Sequence, residues 1–158
     1  MSTAEVRSPD VSTPERGTEA PAQAIGVASP LPGRLIPLGE VPDPVFAKGL
    51  VGGGAAVVPD DDAGVITAVA PLDGKVVKVM PHAYIVQHAS GPAVLVHVGI
   101  DTVGMKGDGF QTLVEKGQKV TAGTPLLRFD LAKIEAAGHP SITPVIVLNN
   151  ESATVTFE

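Results

Sequence analysis

Four histidines, His82, His88, His97 and His139, carry most of the reactive side-chain chemistry open to this chain. The sequence has no cysteine. That excludes disulfides, thiol nucleophiles, thiolate zinc sites and iron–sulfur clusters. An imidazole can act as nucleophile, proton donor, proton acceptor or metal ligand near neutral pH. Sequence context separates the four. His97 lies in AVLVHVGI, the most apolar run of the chain. In an extended segment Leu95 and His97 share one face, while Val94, Val96 and Val98 share the other. A titratable ring placed in such a run calls for a reason. His88 and His139 read as turn or surface residues.

A second histidine can reach the first. If Ser90-Gly91 form a two-residue hairpin loop, Ala89 faces Pro92, Tyr84 faces His97 and His82 faces Gly99. His82 is then a diagonal neighbour of His97, with Cα atoms roughly 7–8 Å apart. Asp101 follows with the same parity. Two imidazoles beside a carboxylate can perform nucleophilic chemistry, bind a metal or hydrogen-bond one another. The other motifs are weaker. VGGGAAV lacks the spacing of a dinucleotide-binding loop, and no Walker motif is present. PDDDAG lacks the spacing of an EF-hand and reads as a hydrophilic turn. Ser141 and Thr143 have no base at a recognisable spacing.

The elements that must position these residues are short strands. Turn signals recur at Gly52-Gly53-Gly54, Pro59-Asp60-Asp61-Asp62, Asp73-Gly74, Ser90-Gly91-Pro92, Gly107-Asp108-Gly109, Lys116-Gly117 and Ala122-Gly123. Between them ITAVAP, KVVKVM, YIVQH, AVLVHVGI, TPLLRFD and PVIVLNN read as strands. The pattern predicts an all-β fold, a compact, mostly antiparallel sandwich or barrel-like domain with one or two short helices. IGVASPLPGRLIPL adds short strands joined by turns. Pro42 and Pro44 forbid a regular central strand and leave Phe46 in a loop or short turn. Gly109 to Glu115 reads as one or two helical turns. Asp130 to Gly138 is the clearest helix: Asp130 caps it, Leu131 and Ile134 share a face, and Gly138 ends it before Pro140.

Composition bounds the rest. The chain has 158 residues, which suits one domain. Apolar residues make up 44 % and aromatics only 3 %, so the core must be built from Val, Ile, Leu and Ala. Residues 1–22 are polar and aperiodic and predict a disordered tail before a single domain over 23–158. The N-terminus lacks the hydrophobic region of a signal peptide, no run reaches membrane-spanning length, and a cytoplasmic location is expected. The net charge of −6 disfavours a nucleic-acid surface.

From about Gly39 to the C-terminus the chain resembles the glucose-family IIA domain of the bacterial phosphoenolpyruvate-dependent sugar phosphotransferase system. The resemblance is carried, in order, by VPDPVFAKGLVGGGAAV, APLDGKVVKV, the triplet His82-Ala83-Tyr84, LVHVGIDTVGMKGDGF, EKGQKVTAGTPLLRFDL and TPVIVLNN. LVHVGIDTVGMKGDGF is similar to the family's phosphorylation signature. The resemblance implies a phosphoryl group accepted on His97 from the phosphocarrier protein HPr. It is then passed to a IIB domain of a IIBC sugar permease, which brings the domain transiently to the membrane. His82 becomes the second active-site histidine, stabilising the phosphoryl group. Phe46, Met80, Leu95 and Val98 are placed near an apolar docking face, with Asp43 and Asp101 at its rim. No cofactor is required. Some members serve regulatory targets, and some bind zinc through the paired histidines and a partner's carboxylate, which makes His82 and His97 the zinc ligands in such a complex. In many relatives a Thr two residues before the second histidine hydrogen-bonds to it; here Met80 stands there.

Two other classes compete. Lipoyl and biotinyl carrier domains share the APxxGxVxxV and KGxxVxxGxxL patterns, but they need a Lys at a hairpin tip. Met105-Lys106-Gly107 is the nearest approach to that. A purely regulatory binding module that has lost transfer would keep the same fold. The sugar carried by a downstream permease is not encoded in a IIA domain.

Overall fold

The computed structural model describes residues 24–48, 52–60, 64–89, 91–148 and 154–157. The tail expected over 1–22 lies outside the described residues. A large sheet is formed by β2 (Gly33–Pro37), β3 (Gly52–Pro59), β5 (Gly74–Met80), β6 (Ala83–Gln87), β7 (Ala93–His97), β9 (Lys119–Val120) and β11 (Thr143–Leu148). Its order is β9-β5-β6-β7-β11-β3-β2, every neighbouring pair antiparallel. A smaller antiparallel sheet has the order β4-β10-β8, from β4 (Val65–Val69), β8 (Phe110–Thr112) and β10 (Pro125–Asp130). Strands β1 (Ala24–Val27) and β12 (Thr154–Phe157) pair in parallel. Among the described residues there are two short α-helices, α1 (Pro44–Ala47) and α2 (Leu131–Ala136). The mostly antiparallel, sandwich-like architecture and the capped helix match the sequence reading. The Asp130 carboxylate accepts from the Ala132 N–H at 3.0 Å, and Leu131 and Ile134 are the buried face of α2.

Alternation along the central strands gives the large sheet two different faces. Val94 and Val96 of β7, Tyr84 and Val86 of β6, and Val145 and Val147 of β11 point into the main core. There they meet Ile66, Leu127 and Phe129 of the smaller sheet. The buried Tyr84 hydroxyl spans the two layers and donates to the Val69 carbonyl at 2.7 Å. On the opposite face Ala83, Leu95, Ile146, Ile36 and Ala56 form a second apolar cluster, with Leu38, Val41 and Ile100.

Three local expectations are corrected. The Gly52-Gly53-Gly54 turn is instead the start of β3. A Cβ on Gly52 or Gly54 would collide with the carbonyl oxygens of Val147 and Val145, so the run keeps β3 close to β11. Gly109 to Glu115 is not helical. It contains β8, whose Phe110 pairs with Phe129 and stacks on it with ring centroids 6.3 Å apart. The helical turn lies upstream, a 3-10 segment at Thr102–Met105. The β6–β7 hairpin is shifted by one residue. His88 rather than Ala89 faces Pro92, donating its N–H to the Pro92 carbonyl at 2.8 Å. Ala83, not Tyr84, therefore faces His97.

Candidate active site

His97 is the last residue of β7 and has the parity of Leu95, so its ring stands on the second apolar cluster rather than in the main core. Across the hairpin the small side chain of Ala83 leaves room beside it. The chain between β2 and β3 supplies a third wall. Pro37, Pro42 and Pro44 stop strand formation there, and a 3-10 turn at Leu38–Glu40 leads into α1. The first bond of α1, from Ala47 N–H to the Asp43 carbonyl at 2.8 Å, sets Phe46 over the site. The Phe46 and His97 ring centroids are 5.2 Å apart.

His82 arrives by a route different from the one expected. It precedes β6 and lies in the turn after Met80, where regular alternation no longer binds it. Its carbonyl accepts from Val98 N–H at 2.8 Å, so it stands opposite Val98 and not Gly99. The turn nonetheless brings its ring to 4.9 Å from that of His97, centroid to centroid, at an interplanar angle of 74°. His82 is buried and His97 half-buried.

The Nδ1 atom of His97 lies 2.8 Å from the Gly99 carbonyl oxygen. A carbonyl can only accept, so Nδ1 carries the hydrogen and Nε2 keeps the lone pair. Gly99 holds a left-handed φ of 75°, which turns that carbonyl back toward the ring. Burial pushes the His97 imidazole below its ordinary value, against the Gly99 hydrogen bond and the nearby carboxylates of Asp43 and Asp101. His82 is also lowered, first by burial and then by His97. Both rings are thereby biased toward the neutral form, in which an imidazole can act as a nucleophile.

The other expected site residues divide. Phe46 and Met80 are partly buried against the second cluster, and Leu95 lies beneath His97 at 8 % exposure. Val98 is wholly buried in the main core and offers nothing to a docking face, because it alternates with His97. Asp43 is half-buried beside α1, and Asp101 is exposed with a left-handed φ of 61°. Val103, which follows Asp101 on the 3-10 turn, is an exposed apolar residue at 63 %, a position the sequence reading did not single out. A valine in an apolar signature carries no mark that separates an outward position from a core one. Lys106 caps that turn instead of sitting at a hairpin tip, which removes the geometry of a lipoyl-type lysine. Among the described residues no third histidine or carboxylate joins the pair as a metal cluster. No described helix is long and apolar enough to cross a membrane.

Known proteins share this arrangement of strands and sequence. Residues 25–153 match the family model for the phosphoenolpyruvate-dependent sugar phosphotransferase system, EIIA 1. The mannose-specific EIIBCA component of Corynebacterium glutamicum is 46 % identical over 132 residues, 82 % of this chain and 19 % of that protein. The chain thus spans about a fifth of that relative's length. The glucose-specific EIIA component of Oceanobacillus iheyensis is 40 % identical over 85 % of this chain and 80 % of its own. The glucose permease IIA from Mycoplasma capricolum superposes with a TM-score of 0.70 at 37 % identity, covering 78 % of this chain and 79 % of that one. Fold, ordered motifs and the extent of the family match lead to one conclusion: the chain belongs to the EIIA 1 family of the phosphoenolpyruvate-dependent sugar phosphotransferase system.

Proposed function

We propose that residues 23–158 act as a IIA phosphocarrier domain in sugar uptake, with His97 as the phosphoryl-accepting residue and His82 as its partner. The observation that carries this reading is the Nδ1 contact to Gly99, which leaves Nε2 of a half-buried imidazole with its lone pair. The donor is phosphorylated HPr and the acceptor a IIB domain of a IIBC permease. The domain works at the cytoplasmic side of the membrane.

In the accepting step Nε2 attacks phosphorus in line with the donor's P–N bond. An N–P bond forms to His97, and the electron pair of the breaking bond returns to the donor nitrogen. Nδ1 keeps its hydrogen on the Gly99 carbonyl, so the positive charge gained by the ring is stabilised there. An N–H of neutral His82 donates to a phosphoryl oxygen. Phe46 and the apolar cluster below exclude water and slow hydrolysis. Positioning supplies the catalysis, since the donor is already a reactive phosphohistidine. In a regulatory complex His82 and His97 offer two imidazole ligands to zinc, which a carboxylate from a partner would have to complete.

The test is incubation with phosphoenolpyruvate, enzyme I and HPr, followed by intact mass. One phosphoryl group is expected on the wild type and none on His97→Ala. Full labelling of that variant elsewhere would overturn the assignment. An unlabelled wild type would favour a purely regulatory module.

A further inference from the structure

Thr102 is buried at 1 % exposure, with His82 and Thr143 one of three buried polar or charged residues among those described. It follows the left-handed Asp101, and the chain from Gly99 to Thr102 folds back on itself. The Thr102 hydroxyl donates to the Val98 carbonyl at 2.5 Å. Its methyl closes against Gly99, where an added Cβ would stand 2.6 Å from Thr102 Cγ2. The Val98–Gly99 peptide it holds lies between a peptide bonded to the His82 main chain and one bonded to the His97 ring. Val98 N–H donates to the His82 carbonyl, and the Gly99 carbonyl accepts from His97 Nδ1. Ile100 N–H ties the same loop to the Pro140 carbonyl at 3.0 Å. No hydroxyl stands at position 80 to orient His82.

We propose that Thr102 is a positioning residue for the two-histidine site: its hydroxyl on Val98 and its methyl on Gly99 fix the loop whose Gly99 carbonyl selects the Nδ1–H tautomer of His97. Thr102 touches no reacting atom. It acts through the Val98 carbonyl: the N–H of the same residue is bonded to the His82 main chain, and the carbonyl of the next residue to the His97 ring. Loss of the hydroxyl frees the Val98 carbonyl, the Gly99 carbonyl drifts, and the imidazole hydrogen redistributes between Nδ1 and Nε2. The consequence for transfer rests on the phosphocarrier reading; the consequence for the tautomer does not.

The experiment compares Thr102→Val, which keeps the shape and removes the hydroxyl, with Thr102→Ser, which keeps the hydroxyl. Nitrogen-15 spectra of the His97 ring, taken above its titration, identify the protonated nitrogen. The wild type and Thr102→Ser should hold Nδ1–H, and Thr102→Val should show a mixture. Acceptance from phosphorylated HPr should fall on the order of tenfold in kcat for Thr102→Val, with KM little changed. Should Thr102→Val fail to fold, Thr102→Cys replaces it, the thiol being a weak donor of similar size. A folded variant lacking the hydroxyl that retains a single Nδ1–H tautomer overturns the proposal. A tautomer shift in a protein whose wild type accepts no phosphoryl group would instead uphold the positioning role and overturn the phosphocarrier reading.

Discussion

At the scale of single residues the proposed function gives the two imidazoles unequal duties, although their ring centroids are only 4.9 Å apart. In the proposed relay His97 is the nucleophile and His82 assists it. A glutamine at position 82 retains a donor of similar reach, whereas alanine leaves a phosphoryl oxygen unpaired in a partly dry interface. His82→Gln should therefore still accept phosphate from HPr, and His82→Ala should accept it more slowly. Onward transfer to IIB should suffer more in both. Rapid-quench transfer in each direction measures this, and wild-type rates for His82→Ala in both half-reactions would reduce His82 to a bystander. The pair also sets a pH dependence. Both rings titrate below the ordinary histidine value of about 6.5. As pH falls through that value the unfolded chain binds protons before the native one does. Unfolding free energy should then drop with falling pH until the depressed native values are passed, and should be flat above neutrality. Denaturant titrations at neutral and mildly acidic pH check the sign, and His82→Gln should show the smaller drop.

At the scale of elements, legibility in the sequence followed the strength of the local signal. The valine alternation in β7 and β11 and the capped helix α2 were readable because period and cap are local properties. The one-residue error in the hairpin was not avoidable from loop composition, since Ser90-Gly91-Pro92 suits loops of more than one length. The pairing of His82 with His97 survived that error because His82 lies in the turn and is not held to strand parity. The glycine run of β3 was misread for a different reason. Glycine signals a turn in isolation, but here it permits one backbone to lie against another, which only the fold reveals. That difference is testable. Gly54→Val should destabilise the domain by about 1–3 kcal/mol through overpacking against β11, read as a lowered denaturation midpoint. An unchanged midpoint would mean that β3 can shift without loss.

At the scale of the whole molecule, the site is an apolar area around His97 with Phe46 and Met80 packed against the cluster below it and the carboxylates of Asp43 and Asp101 nearby. Such an area suits a partner that brings basic residues to the rim. Rim charges act mainly on association rate. Asp43→Lys combined with Asp101→Lys should slow association with HPr most at low ionic strength, and the difference from wild type should shrink as salt rises. Stopped-flow association across a salt series reads it directly; equal rates at low salt would remove the rim from recognition.

The alternation along β7 has one more consequence. Leu95 and His97 face the site, while Val94 and Val96 face the main core. A slip of one residue in the pairing of β7 would exchange these faces, bury the imidazole and expose valines. No slipped form could keep a reactive histidine on a sound scaffold. If His97 carries the phosphoryl group as proposed, a copy misassembled in this way is silent, and the ability to take the group doubles as a report of correct pairing.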